Sequence, residues 1–196
     1  AGPMSGPELS GPELSGPELS GPELSGAKRR LSIVMVDSHG GIQRGGAVQC
    51  ARLAAALARR GHRVTCVFDG PPGAAPQGAG FDRLRAAGVE LRCYRLLGPG
   101  SALRFRREIL ARRPDILHTH KNMALRFVYA ASLGRPDVPW VANRGTVYRL
   151  IPGSLARFIH RRRLDAAVAV PGAAREALLP GGVPGGRAHV IYRRVR

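Results

Sequence analysis

Seven short apolar runs alternating with six helix-like stretches constrain this chain more than any other feature. The runs are LSIVMV (31–36), RVTCVF (63–68), VELRCYRL (89–96), DILHTH (115–120), PWVANR (139–144), DAAVAV (165–170) and HVIYRR (189–194). Between them, residues 46–60, 81–87, 101–113, 122–133, 153–163 and 172–179 read as helices, the first stopped by Gly61. The apolar runs are continuous rather than alternating, the pattern of strands covered by helices on both faces. Strict alternation predicts an α/β fold: a Rossmann-like, doubly wound parallel sheet of about seven strands, in one domain over residues 27–196. In such a sheet ligands bind beyond the C-terminal ends of the strands. Three loops fall there: DSHGGIQRGG (37–46), HTHKN (118–122) and NRGTVYR (143–149).

The first 26 residues have a different texture. Residues 5–24 are four identical copies of SGPEL, behind an Ala1-Gly2-Pro3 that reads as a cloning remnant. A proline every five residues blocks helix and strand, and one leucine per repeat builds no core, so residues 1–26 are expected to be a disordered tail. The tail holds four glutamates and no Lys or Arg, which leaves 31 basic against 9 acidic residues, or +22, on the rest of the chain. A domain so basic attracts acidic partners such as phosphorylated ligands or an anionic membrane surface. The bland alternative is that the Ala, Gly, Pro and Arg excess reflects GC-rich coding sequence. Cys50, Cys66 and Cys93 are widely spaced and odd in number, and read as core residues in a reduced cytosol. No apolar run approaches the ~20 residues of a membrane span, and the opening residues do not read as a secretory signal.

Each loop has a bland and a functional reading. Gly40, Gly41, Gly45 and Gly46 either make a flexible turn or let backbone amides approach a phosphate at a helix N-terminus. Their spacing is neither G-x-G-x-x-G nor the P-loop pattern. Asp69 ends the second strand, where a dinucleotide fold places its ribose-binding acid. His118 and His120, at i and i+2 of one strand, point the same way, but no third ligand has a zinc spacing, so no metal is expected. At the C-terminal end of its strand, His120 is the stronger functional candidate. Arg104, Arg106, Arg107, Arg112 and Arg113 surround one helix. On another, Arg157, Arg161, Arg162 and Arg163 flank Leu155, Phe158 and Ile159, as in a helix seated on anionic lipid. Aromatic content of 5% is too sparse for base-stacking platforms, which argues against single-stranded nucleic acid.

Three stretches carry a family resemblance: GGAVQCARLAAALARRGHRVTCVF, then RPDILHTHKN with VPWVANRG, then LDAAVAVPGAAREALLPGGVPGGRAHVIY. In order and separation they resemble the N-terminal half of retaining GT-B glycosyltransferases of the family-4 type, over roughly residues 30–196. The resemblance implies a bacterial enzyme of two domains. It would transfer a sugar from a nucleotide-diphosphate sugar to an acceptor, without a cofactor or metal. This half would bind the acceptor, and the donor domain would begin where the chain ends. Either Gly40-Gly41 or Gly45-Gly46 matches the family's phosphate-loop glycines, and His120 matches the histidine facing the transferred sugar. His39, Gln43, Arg44, Lys121, Asn122, Arg144 and Tyr148 then fall to the acceptor.

The sequence also departs from the family pattern. Arg144-Gly145 stands where many relatives have His-Gly, which favours a phosphorylated or carboxylated acceptor. Pro171 replaces a serine, and Arg193-Arg194-Val195-Arg196 replaces Asn-Gly-Val-Asp. The basic helix around Phe158 points to a lipid-linked or lipopolysaccharide-type acceptor and a cytoplasmic enzyme peripheral to the inner face of the membrane. The rival expectation is a non-catalytic binding module for anionic ligands or an anionic membrane. Non-specific nucleic-acid binding ranks below both.

Overall fold

The computed structural model describes residues 29–43, 45–133, 138–145, 147, 150–170 and 172–191. The SGPEL tail, Arg44, Tyr148, Pro171 and residues 192–196 lie outside the described residues.

Along the chain come β1 (Ser32–Asp37), α1 (Gly45–Arg59), β2 (Arg63–Asp69), α2 (Ala79–Ala86), β3 (Glu90–Tyr94), α3 (Pro99–Glu108), β4 (Ile116–His120), α4 (Lys121–Ser132), β5 (Trp140–Arg144), α5 (Leu155–Arg162), β6 (Ala166–Ala169), α6 (Gly172–Leu178) and β7 (Ala188–Val190). The seven strands form one sheet in the order β3-β2-β1-β4-β5-β6-β7, every neighbouring pair parallel. The fold is the predicted Rossmann-like α/β domain. Its order reverses between β1 and β4, so the loops after these two strands diverge and leave a crevice at their ends.

Each helix sits where its buried stripe dictates. α1 buries Ala47, Cys50, Ala51 and Ala54, at i, i+3, i+4 and i+7, and these small side chains let it lie close to the sheet. Beneath it, Ile33, Met35, Cys66, Phe68 and Phe81 form one core layer with α2. The three cysteines are buried and free, as core residues. A hydrogen bond to Cys66, with burial, holds the Cys50 thiol well above its usual pKa, so it stays protonated. On the other face, α3, α4, α5 and α6 enclose a larger layer around Val36, Leu117, Trp140, Ile159 and Leu164. Tyr94, Phe105 and Phe127 meet there edge-on or tilted, with centroids 5.5 and 5.1 Å apart.

Three expectations need correction. The helix expected over 101–113 ends at Glu108. A 3-10 turn, Leu110–Arg112, follows, with Arg113 left-handed at φ 50°, so Arg112 and Arg113 are not on the helix with Arg104. Pro114 keeps Arg113, the residue before it, out of the helical conformation. The strand expected over 89–96 contracts to Glu90–Tyr94. Covering by helices on both faces holds for β1 and β2, is partial at the edge strand β3, where Arg92 is exposed, and fails for β5–β7. Val141, Asn143, Ala166 and Val168 are only half-buried, and His189 is exposed. The reason is topological: α1 and α2 serve β1, β2 and β3, and the later helices all pack on the opposite layer.

Candidate functional site at the sheet reversal

Parallel register aligns Asp37 of β1 with His120 of β4, and His120 with Asn143 of β5. In-register residues point the same way, so this row faces the α1 side at the C-terminal edge. Asp37 is fully buried. Its Oδ1 accepts the His39 backbone N–H at 3.1 Å, a short turn typical of Asp, and lies 2.6 Å from His39 Nδ1. The Lys121 ammonium lies against the other ring nitrogen of His39, Nε2. His39 is thus held between a carboxylate at Nδ1 and an ammonium at Nε2. Asp37 Oδ2 has no hydrogen-bond partner among the described residues.

The turn that brings Lys121 to His39 is itself unusual. His120 is extended, and Lys121, which opens α4, has φ 71°. A non-glycine residue in that left-handed region costs about 1–2 kcal/mol. Gly46 lies beside the pair. A β-carbon there would stand 3.8 Å from His39 Cε1 and 3.9 Å from Lys121 Cε, so a longer side chain would fill the space in front of both.

His120 is buried, with its ring 4.6 Å from that of His118. Burial first, then the neighbouring His118 and His39, hold its pKa well below the usual histidine value; burial alone takes His118 down to about 4. Both rings are therefore neutral at physiological pH. Asn143 Nδ2 lies 3.3 Å from His120 Nδ1 and donates to it, which leaves the proton of His120 on Nε2. That Nε2 is buried and unpartnered among the described groups. The paired histidines gain no third ligand: no group of three His, Cys, Asp or Glu among the described residues is placed to hold a metal.

The opposite side of the same edge is cationic. Arg144 ends β5, is buried, and donates from Nη1 to Asn122 Oδ1 at 3.3 Å. Near it lies His160 of α5, whose Nδ1–H donates to the Ala156 carbonyl at 2.7 Å. Burial, aided by the Arg144 charge, takes the His160 pKa down to about 4 despite that hydrogen bond. The guanidinium therefore has an uncharged neighbour there. After Arg144, a β-carbon on Gly145 would meet Gln49 Oε1 at 3.7 Å, so Gln49 of α1 reaches across to β5.

The two glycine pairs part company. Gly40 lies against the Asp69 carbonyl, a β-carbon there standing 3.3 Å away, and His39 O accepts the Asp69 N–H. Ile42 rests on Gly80 of α2. The first pair thus turns toward β2, whereas Gly45, with φ 50°, and Gly46 lead into α1 at the crevice. Gln43 is exposed on that loop. Asp69 Oδ1 is occupied: it accepts the Leu96 N–H at 3.1 Å and ties down the loop after β3.

On α5 the basic residues divide. Arg157 is half-buried and donates from Nε to the Gly181 carbonyl at 3.0 Å, a tie to the segment before β7. Arg161 packs along Gly182, Arg163 is half-buried, and Arg162 is exposed. Phe158, about half exposed, meets Tyr129 edge-on with centroids 6.1 Å apart. Leu155 and Phe158 are exposed on α5 and Ile151 is exposed in the turn before it, whereas Ile159 is core.

The structure therefore unites His39, Gly46 and Lys121, joins Asn122 to Arg144, and sets His120 in the same row as Asp37. Asp37, Asn143, Gln49 and His160 went unselected in the sequence. Only Asp37 left a signal there, as the Asp of Asp-Ser-His directly after a strand.

With this geometry in view, comparison with known proteins decides the family. Residues 43–195 match the model for Glycosyltransferase Family 4. The chain belongs to this family. No curated protein matches it. Among solved structures, the family-4 chain is similar to a glycosyltransferase from Rickettsia africae ESF-5, at 17% identity and a TM-score of 0.64, covering 86% of this chain and 44% of that one. It is similar to Anabaena Alr3699/HepE in complex with UDP-glucose, at 18% identity and a TM-score of 0.62, covering 85% and 44%. It is also similar to the lipopolysaccharide outer core galactosyltransferase WaaB, at 10% identity and a TM-score of 0.59, covering 83% and 46%. These likenesses show a shared fold, and the chain spans less than half the length of each structure.

Proposed function

We propose that this chain is the N-terminal, acceptor-side domain of a retaining GT-B glycosyltransferase that uses a nucleotide-diphosphate sugar. One observation carries the reading: a buried, neutral histidine presents an unpartnered Nε2–H at the sheet reversal, near the start of α1 and a lysine held in a left-handed turn. His120 would donate that hydrogen bond to the transferred sugar. As the anomeric C–O bond to the diphosphate breaks, the first-turn amides of α1 and the Lys121 ammonium would meet the charge growing on the leaving group. Gly45-Gly46, which opens α1 at the crevice, is the better candidate for the phosphate-facing pair. The acceptor hydroxyl would attack the anomeric carbon from the leaving-group face and pass its proton to a departing phosphate oxygen. Arg144 and Asn122 would hold an anionic acceptor from the other side of the sheet edge, with Gln43, Arg44 and Tyr148 in the loops around it. This chemistry needs no metal, because amides and Lys121 carry the electrostatic load.

A lipid-linked or lipopolysaccharide-type acceptor fits the exposed Ile151, Leu155 and Phe158 beside Arg161 and Arg162, which would rest on an anionic membrane. No described helix is long and apolar enough to cross a membrane. The Anabaena structures hold UDP and UDP-glucose, which makes a uridine donor the first to try. The test is transfer of labelled sugar from UDP-sugars by the complete native protein, with membrane lipid extract as acceptor. Labelled lipid supports the reading; binding of vesicles with no transfer from any nucleotide-sugar rejects it. That second outcome would favour the rival reading, a non-catalytic module for anionic ligands, which rests on the same exposed residues and the +22 charge.

A further inference from the structure

Between the loop after β3 and the outer face of α4 runs a groove of about 730 Å³. Its walls are apolar. Leu96, Ala102 and the ring of Phe127 form the floor, and Met123 lies beside them. Leu97 stands at the rim, 84% exposed. Along α4 the groove follows Asn122, Arg126 and Ala130, at i, i+4 and i+8, and so extends for about 12 Å. One end is polar and belongs to the site already described, because Asn122 accepts the Arg144 guanidinium and follows Lys121. Toward the C-terminal end of α4 the groove is lined by the exposed Ala130.

Charge selects the occupant. Arg126 lines the groove, is exposed and has no carboxylate partner among the described residues, whereas Arg95 lies in a neighbouring hollow that Asp69 also lines. An apolar trough with the Arg126 guanidinium along it, continuous at one end with the cationic Asn122–Arg144 site, matches an amphiphile with a single anionic head. We infer that the α3–α4 groove binds the alkyl or isoprenyl chain of a phosphate-bearing acceptor, its phosphate toward Asn122 and Arg126 and its chain toward Ala130. The inference rests on the glycosyltransferase reading for the purpose of the ligand, but not for where the ligand binds.

The experiment is calorimetric titration of this chain with decyl phosphate below its micelle concentration, with inorganic phosphate as control. One saturable site is expected, at least tenfold tighter than inorganic phosphate. Ala130→Trp, which fills the groove from an exposed position, and Arg126→Glu should each weaken it tenfold or more. Phe158→Ser, on the other exposed apolar face, should change it less than twofold. If Ala130→Trp shifts the melting midpoint, Ala130→Leu takes its place. Affinity within twofold of native in the groove variants, loss in Phe158→Ser, or binding no tighter than inorganic phosphate would each overturn the inference. Failure of the enzymatic reading looks different: decyl phosphate binds in the groove, yet the complete protein transfers no sugar. Conversely, sugar transfer to a lipid acceptor that Ala130→Trp leaves untouched removes the groove and keeps the enzyme.

Discussion

The two sides of the sheet edge at the reversal point hold different chemistry within a few residues of each other. On the α1 side the groups are the buried Asp37 carboxylate with His39 on it, and the neutral imidazoles of His118 and His120, with Asn143 beside them. On the α4–α5 side they are a buried guanidinium, an amide and an uncharged histidine: Arg144, Asn122 and His160. Strand alternation produces the split, since Asn143 and Arg144 are consecutive and must point to opposite faces. A single edge can thus place hydrogen-bond donors for a sugar on one side and fixed positive charge for an acceptor on the other, without the two sets competing for partners.

The comparison breaks first on kinetics. In the complete protein, His120→Ala should lower kcat by about 100-fold, the order seen when one donor to a developing charge is removed, with the donor KM changed much less. Arg144→Lys should instead raise the acceptor KM by roughly tenfold, the order of one charged hydrogen bond, with kcat largely kept. Steady-state kinetics on both variants check the division; two variants failing in the same parameter would erase it.

Proton linkage sharpens it next. His118, His120 and His160 have folded pKa values below that of the unfolded chain, so each binds its proton more tightly when unfolded. Their stability contribution is intact above pH ~6.5 and is lost as pH falls toward about 4, where His118 and His160 titrate in the fold, at about 1.4 kcal/mol per pH unit for each histidine. Denaturant melts between pH 7 and 4.5 should show this fall, and His160→Gln should flatten part of it. An unchanged slope would mean that the α5 side is wetter than its packing indicates.

The smallest effect separates the glycines. Gly45→Ala, at φ 50°, should cost about 1 kcal/mol, whereas Gly41→Ala, with open space and no positive φ, should be near neutral. Equal costs would show that the loop before α1 does not hold this conformation.

Much of the fold was legible because continuous apolar runs and Ala-Leu stretches are local signals. The stripe Ala47, Cys50, Ala51, Ala54 is visible in GAVQCARLAAALARR without any structure. The half-bare face of β5–β7 was not legible, since a run such as DAAVAV reads alike whether one face or both are covered. At the site, His120 stood out by its place at a strand end, but its partners came from distant segments. Asn143 meets it through strand register and Lys121 meets His39 through a left-handed turn, and neither leaves a pattern in sequence. Arg157 shows the opposite failure: a charge that reads as surface is committed to the Gly181 carbonyl.

The central claim is that His120 keeps an uncharged, unpartnered Nε2–H buried at the sheet reversal. Long-range 1H–15N correlation spectra of the imidazole rings, recorded from pH 8 to 5 on this chain, test it directly. The account predicts that His120 stays neutral and protonated at Nε2 throughout. A His120 that becomes imidazolium near pH 6.5, or carries its proton on Nδ1, would contradict it.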